Sequence, residues 1–154
     1  MNAHEKLIHD FYTAFQQLDY TTMQSLYHDE ACFHDPVFLD LTSAEVRAMW
    51  QMLLTSAKDL KVSFSEVKVN AQAGSCRWEA WYTFSKTGRP VHNIIYASFQ
   101  FKEGKIYRHK DSFDLWRWAR QALGISGVLL GWSSLVQNKI RETARHNLKK
   151  HMNK

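Results

Sequence analysis

Apolar residues recur at every third or fourth position through the first part of the chain and at every second position in the part that follows. Leu7, Phe11, Ala14, Phe15 and Leu18 keep helical spacing and predict an amphipathic helix over about residues 3–18. Asp19 is placed to cap a shorter second helix with Met23, Leu26 and Tyr27 turned inward. Thr42 followed by Glu45 forms a capping box that opens a third helix carrying Val46, Met49, Trp50, Leu53 and Leu54. Between these helices, Cys32–Phe38 reads as a short extended piece. Pro36 keeps Asp35 out of the helical region and donates nothing to a ladder, so the piece ends or edges a sheet.

The period then changes to two. Leu60–Val69 alternates with a phase slip between Phe64 and Val67 that predicts a bulge. Ser75–Ser85, Val91–Phe101 and Ile106–Phe113 are separated by Thr87-Gly88-Arg89-Pro90 and Lys102-Glu103-Gly104-Lys105, which makes them consecutive strands of an antiparallel meander. Helices followed by strands give an α+β class with helices on one face of the sheet. A helix follows Asp114 and stops at Gly124. An apolar stretch, Ile125–Trp132, leads to a second capping box, Ser134 with Gln137, opening a helix with Val136, Ile140, Ala144, Leu148 and Met152 on one seam. The organisation expected is one domain over residues 1–123, then an apolar loop and a basic amphipathic helix over 124–154.

Composition narrows the classes. With 154 residues, 45% hydrophobic and 14% aromatic, the chain can bury a core. No run reaches the ~18 apolar residues of a membrane span, and the charged start MNAHEKLIHD does not read as a signal peptide. Two cysteines, Cys32 and Cys76, are too few for a disulfide scaffold and read as buried small hydrophobes, so a cytoplasmic location is expected. The formal charge of +5 resides wholly in residues 137–154, leaving a neutral body with little electrostatic support for nucleic-acid binding. The basic helix has three readings: packing on the domain or a sister subunit, a solvated end, or contact with an acidic partner or membrane surface anchored by Trp132.

Several motifs carry a resemblance. Phe11-Tyr12-x-Ala14-Phe15-x-x-x-Asp19 looks like the first-helix signature of the nuclear transport factor 2-like superfamily, and Phe33-x-Asp35-Pro36-Val37 resembles the aspartate–proline element of ketosteroid isomerases. The run from Gly104-Lys105-Ile106 through His109-x-Asp111-x-Phe113-Asp114 is similar to the last strand of SnoaL-like polyketide cyclases and their relatives. The resemblance covers roughly residues 5–120. It implies a cone-shaped curved antiparallel sheet covered by three N-terminal helices, with an apolar pocket inside and the C-terminal helix as an extension. It also implies cofactor-independent acid/base chemistry, a small hydrophobic polyketide- or terpenoid-like ligand, and a homodimer using the outer sheet face with Glu79 and Trp81. Of the ketosteroid isomerase machinery only the base carries over, at Asp35. The oxyanion tyrosine position holds Phe11 and the protonated aspartate position holds Ala97, which argues against ketosteroid isomerisation by that mechanism.

The candidate catalytic residues are Asp35, His109 and Asp111. His109 and Asp111 lie two apart on a strand and share a face, as do Tyr107 and Phe113, so a carboxylate orients the imidazole for proton transfer. Asp35 is expected from the opposite wall. Trp50, Trp78, Tyr82, Asn93, Tyr107 and Phe113 are the expected ligand-binding residues. His28-Asp29-Glu30 and His34-Asp35 have the composition of a metal cluster, but adjacent residues of an extended segment point apart, so no metal and no cofactor are expected. Two function classes follow: an isomerase, cyclase or hydrolase of this type, and a non-catalytic module holding an apolar ligand in the same pocket.

Overall fold

Local sequence fixes the helix starts. Asn2 accepts the Glu5 amide at 2.8 Å, Asp19 accepts that of Thr22, and Thr42 and Glu45 satisfy each other's amides as a complete capping box. A computed structural model describes residues 1–154. Its elements are α1 (Ala3–Gln16), α2 (Tyr20–Ser25), β1 (Tyr27–His34), β2 (Leu41–Thr42), α3 (Ser43–Ser56), β3 (Lys61–Val69), β4 (Ala73–Phe84), β5 (Arg89–Lys102), β6 (Lys105–Ser112), α4 (Leu115–Leu123), α5 (Ile125–Leu130) and α6 (Ser134–Met152). The sheet runs β2-β1-β6-β5-β4-β3, curved and unclosed. Strands β4, β5 and β6 form the expected meander. The β5–β6 turn places Glu103 and Gly104 both at positive φ, the backbone that a two-residue hairpin turn needs.

Three features depart from the sequence reading. Tyr27 opens β1 instead of closing the second helix, and β1 pairs with β6 in parallel, which no local pattern encodes. The last helix is capped by Ser133, which accepts the Val136 amide, while Gln137 turns back to the Gly131 carbonyl. The stretch expected as an apolar loop folds as the short helix α5. The slip in β3 is present, between Ser65 and Lys68, with Glu66 at positive φ.

Helices α1 and α3 close the concave face. Phe11, Tyr12 and Phe15 from α1 and Met49 and Trp50 from α3 meet Trp78, Ile95 and Phe99 from the sheet, all buried. Burying each large side chain contributes about 1.5–3 kcal/mol, so this layer dominates stability. Trp116 and Trp118 do not join it: Trp116 is 38% exposed and Trp118 half-buried. Helix α4 lies along β5 beyond the point where β6 ends, and Gln121 satisfies both the amide and the carbonyl of His92. Helix α6 packs on α3 through Leu148 and Ala144, which settles its packing on the domain. Arg141 donates to the Pro36 carbonyl at 2.8 Å, and Arg145 reaches the Leu39 carbonyl and the Glu45 carboxylate.

Helix α5 approaches α4 so closely that a Cβ on Gly127 would stand 2.0 Å from the Ala119 carbonyl oxygen. Backbone cannot yield as a side-chain tip does. Gly127→Ala is therefore expected to push α5 off α4 at a cost of about 1–3 kcal/mol. That lowers the calorimetric unfolding midpoint by on the order of 5 °C. An unchanged midpoint contradicts this packing.

Candidate active site

The parallel β1–β6 pair sets the site. Phe33 stands beside His109 and His34 beside Lys110, so the next residue of each strand, Asp35 and Asp111, follow in neighbouring positions. Asp35 thus comes from the adjacent strand end and not from the opposite wall. Across β6 on the other side, Asp111 pairs directly with Ala97.

A directional hydrogen-bond chain runs through the core. The Trp50 indole donates to the Tyr27 hydroxyl oxygen at 2.9 Å. Tyr27 then has its own proton free for Nδ1 of His109 at 2.8 Å, and Nε2 of His109 donates to Oδ1 of Asp111 at 2.9 Å. An indole only donates and a carboxylate only accepts, so the two ends fix the direction and place the proton of a neutral His109 on Nε2. The Trp78 indole makes a longer approach to the same Asp111 oxygen, 3.4 Å. The His109 side chain is 0% exposed, enclosed by Phe11, Phe33 and Phe99 with ring centroids at 5.7, 4.9 and 4.4 Å.

Two polar groups beside the chain are incompletely engaged. The Tyr12 hydroxyl is buried and has no hydrogen-bond partner. Burial first, and the nearby Asp111 charge second, push its pKa well above the phenol range, so it stays a donor. Asp35 is half-buried, and one of its oxygens accepts both the Val37 and Phe38 amides. Burial raises its pKa to about 6. The Asp111 charge adds to the rise, while the two amides and His109 oppose it.

Of the expected site residues, the structure gathers Asp35, His109, Asp111, Trp50 and Trp78. It leaves four out. A β-bulge opposite Phe101 lets Ile106 and His109 both point inward, so Tyr107 turns outward between Lys102, Arg108 and His28. Tyr82 lies about 20 Å of strand from the Asp111 row, at ~3.3 Å per residue, and its hydroxyl accepts the Trp118 indole. Asn93 and Phe113 line a groove of about 430 Å³ with Ile94, Tyr96 and Arg117, apart from His109. The two other histidines of the early acidic stretch go separate ways: His28 faces Glu103 and His34 bonds Asp40. Cys76 is buried and its thiol is pushed up to about 12, chiefly by burial, which leaves it inert near neutrality.

Residues 8–109 match the family model for the SnoaL-like domain. The chain belongs to the SnoaL-like domain family. No protein of curated function matches it. Among solved structures, this SnoaL-like chain is similar to IdmH, a putative polyketide cyclase from Streptomyces antibioticus, at 20% identity and a TM-score of 0.65, over 78% of this chain and 97% of that one. It is also similar to an LEH-like epoxide hydrolase of M. tuberculosis, at 15% identity and a TM-score of 0.64, over 87% and 95%. TerC, co-crystallised with polyporic acid, matches at 16% identity and a TM-score of 0.63, over 73% and 92%. At these identities the likeness is one of fold.

The sequence reading missed Tyr12 and Tyr27. Tyr27 was hidden by its assignment to a helix. Tyr12 shares a helical turn with Phe11, and both are buried, so α1 presents two adjacent residues to the core where the apolar spacing counted only Phe11.

Proposed function

We propose that this SnoaL-like protein is a cofactor-independent acid/base catalyst acting on a small hydrophobic molecule of polyketide or terpenoid type. One observation carries the reading: a carboxyl group with a pKa of about 6 stands beside a buried histidine whose two nitrogens are both engaged. A group titrating near neutrality both accepts and returns a proton efficiently. Asp35 takes a proton from carbon or water, the Tyr12 hydroxyl donates to the oxygen where charge develops, and the Tyr27–His109–Asp111 chain holds the local dipoles fixed. The Tyr12 hydroxyl thereby supplies a donor next to the Phe11 position, whereas Asp111, an acceptor of the His109 proton, supplies none. The Asp35–Asp40 turn beside these groups is tied to α6 through Arg141 and Arg145.

The enclosure of His109 favours a second reading, a binding module in which the chain only braces the core. The two separate on one measurement. In protein carrying ¹⁵N-labelled histidine, polyporic acid serves as the probe ligand while His109 is followed against pH. A catalyst moves the His109 resonances and their titration on adding the ligand. Resonances that ignore a bound ligand assign the histidine to structure. A homodimer through the outer sheet face with Glu79 and Trp81 is the assembly we attach to either reading, since Trp81 remains exposed there, and the cytoplasm is the proposed location.

A further inference from the structure

A second cluster lies on the far end of the sheet, independent of His109. Arg117, Arg120 and Gln121 occupy positions i, i+3 and i+4 of α4 and so share one side of the helix, with Gly124 one turn on. Arg89, at the start of β5, crosses to meet them. Its Nε donates to the Gln121 carbonyl at 2.8 Å, and its guanidinium lies where a Cβ on Gly124 would touch it at 3.2 Å. These three arginines and Gln121 line an open cavity of about 350 Å³ with no hydrophobic lining residue.

None of the three arginines has a carboxylate partner, whereas Arg47, Arg77 and Arg145 each have one. Arg117 donates to the His92 carbonyl. Arg120 lies over the Trp116 ring at 4.3 Å and its buried Nε has no partner at all. Asp114, the N-cap of the same helix, accepts the Arg117 amide and lines the adjoining groove but makes no ion pair with the Arg117 guanidinium, and Glu79 is engaged by Arg77 and His92. Three uncompensated guanidinium groups around one cavity repel one another, and an anion between them reverses the sign of that energy. Planar guanidinium forks match the paired oxygens of phosphate, and three of them suit a dianion better than a single carboxylate. The 430 Å³ groove shares Arg117, has Asn93, Ser112 and Asp114 as its other polar members, and offers Ile94, Tyr96 and Phe113 as an apolar strip for a body attached to the phosphate.

We infer that Arg89, Arg117 and Arg120 form a binding site for the phosphate group of a phosphomonoester whose apolar part lies along Ile94, Tyr96 and Phe113. The shared chemistry is the phosphate, and a soluble ester and a lipid headgroup are its two sources. The test is calorimetric titration of the full chain with phenyl phosphate, inorganic phosphate and phenol, beside sedimentation with phosphatidylcholine vesicles with and without phosphatidic acid. Phenyl phosphate is expected to bind below about 1 mM and more tightly than inorganic phosphate, with phenol not binding. Arg89 is exposed, so Arg89→Gln probes the cavity without disturbing the core; it and Arg120→Gln are each expected to weaken phenyl phosphate about tenfold or more. Free ester binding without sedimentation assigns the soluble source. Sedimentation that needs phosphatidic acid and is lost in Arg89→Gln assigns the lipid. Phenyl phosphate that fails to bind, or binds the folded Arg89→Gln protein as tightly as the native one, overturns the site.

Discussion

Asp111→Asn is expected to lower turnover by about 10²-fold or more, the scale of a lost acid/base arrangement, while leaving the fold in place. The side chain keeps its shape, so the reason lies in proton direction. In the native chain Trp50 donates to Tyr27, Tyr27 to Nδ1 of His109, and Nε2 of His109 to Asp111. An asparagine that turns its amide nitrogen to His109 donates instead of accepting, which moves the imidazole proton to Nδ1. Tyr27 must then accept from both Trp50 and His109, and its own proton is left without a partner in a buried core, at a cost of about 1–3 kcal/mol. An asparagine that turns its oxygen to His109 keeps the direction but replaces a charged acceptor with a neutral one, which weakens the hydrogen bond that holds the ring. Either way the histidine is mis-set. The check is steady-state turnover on the substrate found for the native protein, together with the ¹⁵N shifts that report which ring nitrogen carries the proton. Full turnover with an unaltered tautomer removes Asp111 from the mechanism.

How much of this was legible depends on whether the signal is local. Capping by Asp19 and the Thr42–Glu45 box appear where the sequence places them, because each is a contact between residues three apart. The β3 slip is likewise written in four residues. Asp35, His109 and Asp111 could be named from motif resemblance, and the structure brings them together. What escaped is what depends on distant partners. The parallel alignment of β1 with β6 makes Asp35 and Asp111 neighbours, and no pattern within either strand encodes it. The bulge at Phe101 depends on two strands at once, so strict alternation put Tyr107 on the wrong face. The same alternation cannot measure distance along a strand, and Tyr82 shares the inner face yet serves α4. Tyr27 became visible as a site residue only when the chain on which Trp50 and His109 meet was in view.

Asp35→Asn is expected to split stability from activity. The folded-state pKa of Asp35 is about 6, above its ordinary value of 3.8, and desolvation is the main cause. Between those values the folded protein binds more protons than the unfolded one, so stability falls as pH rises through that window. Above about pH 6 the penalty is complete, and below about pH 4 it vanishes. A shift of this size corresponds to at most about 3 kcal/mol at 1.36 kcal/mol per unit, less whatever water reaches this half-buried side chain. Asparagine removes the charge and its oxygen can still accept the Val37 and Phe38 amides that hold the turn. The variant should therefore be more stable than the native protein at pH 8 and nearly equal to it at pH 4, by urea denaturation at both. Turnover should fall about 10²-fold at the same time, because an amide neither takes nor returns a proton. A residue kept for structure alone does not destabilise the state it belongs to, so opposite signs for stability and activity mark Asp35 as the working base. An Asp35→Asn protein that is less stable at pH 8 than the native one makes the carboxylate a turn cap and removes it from catalysis.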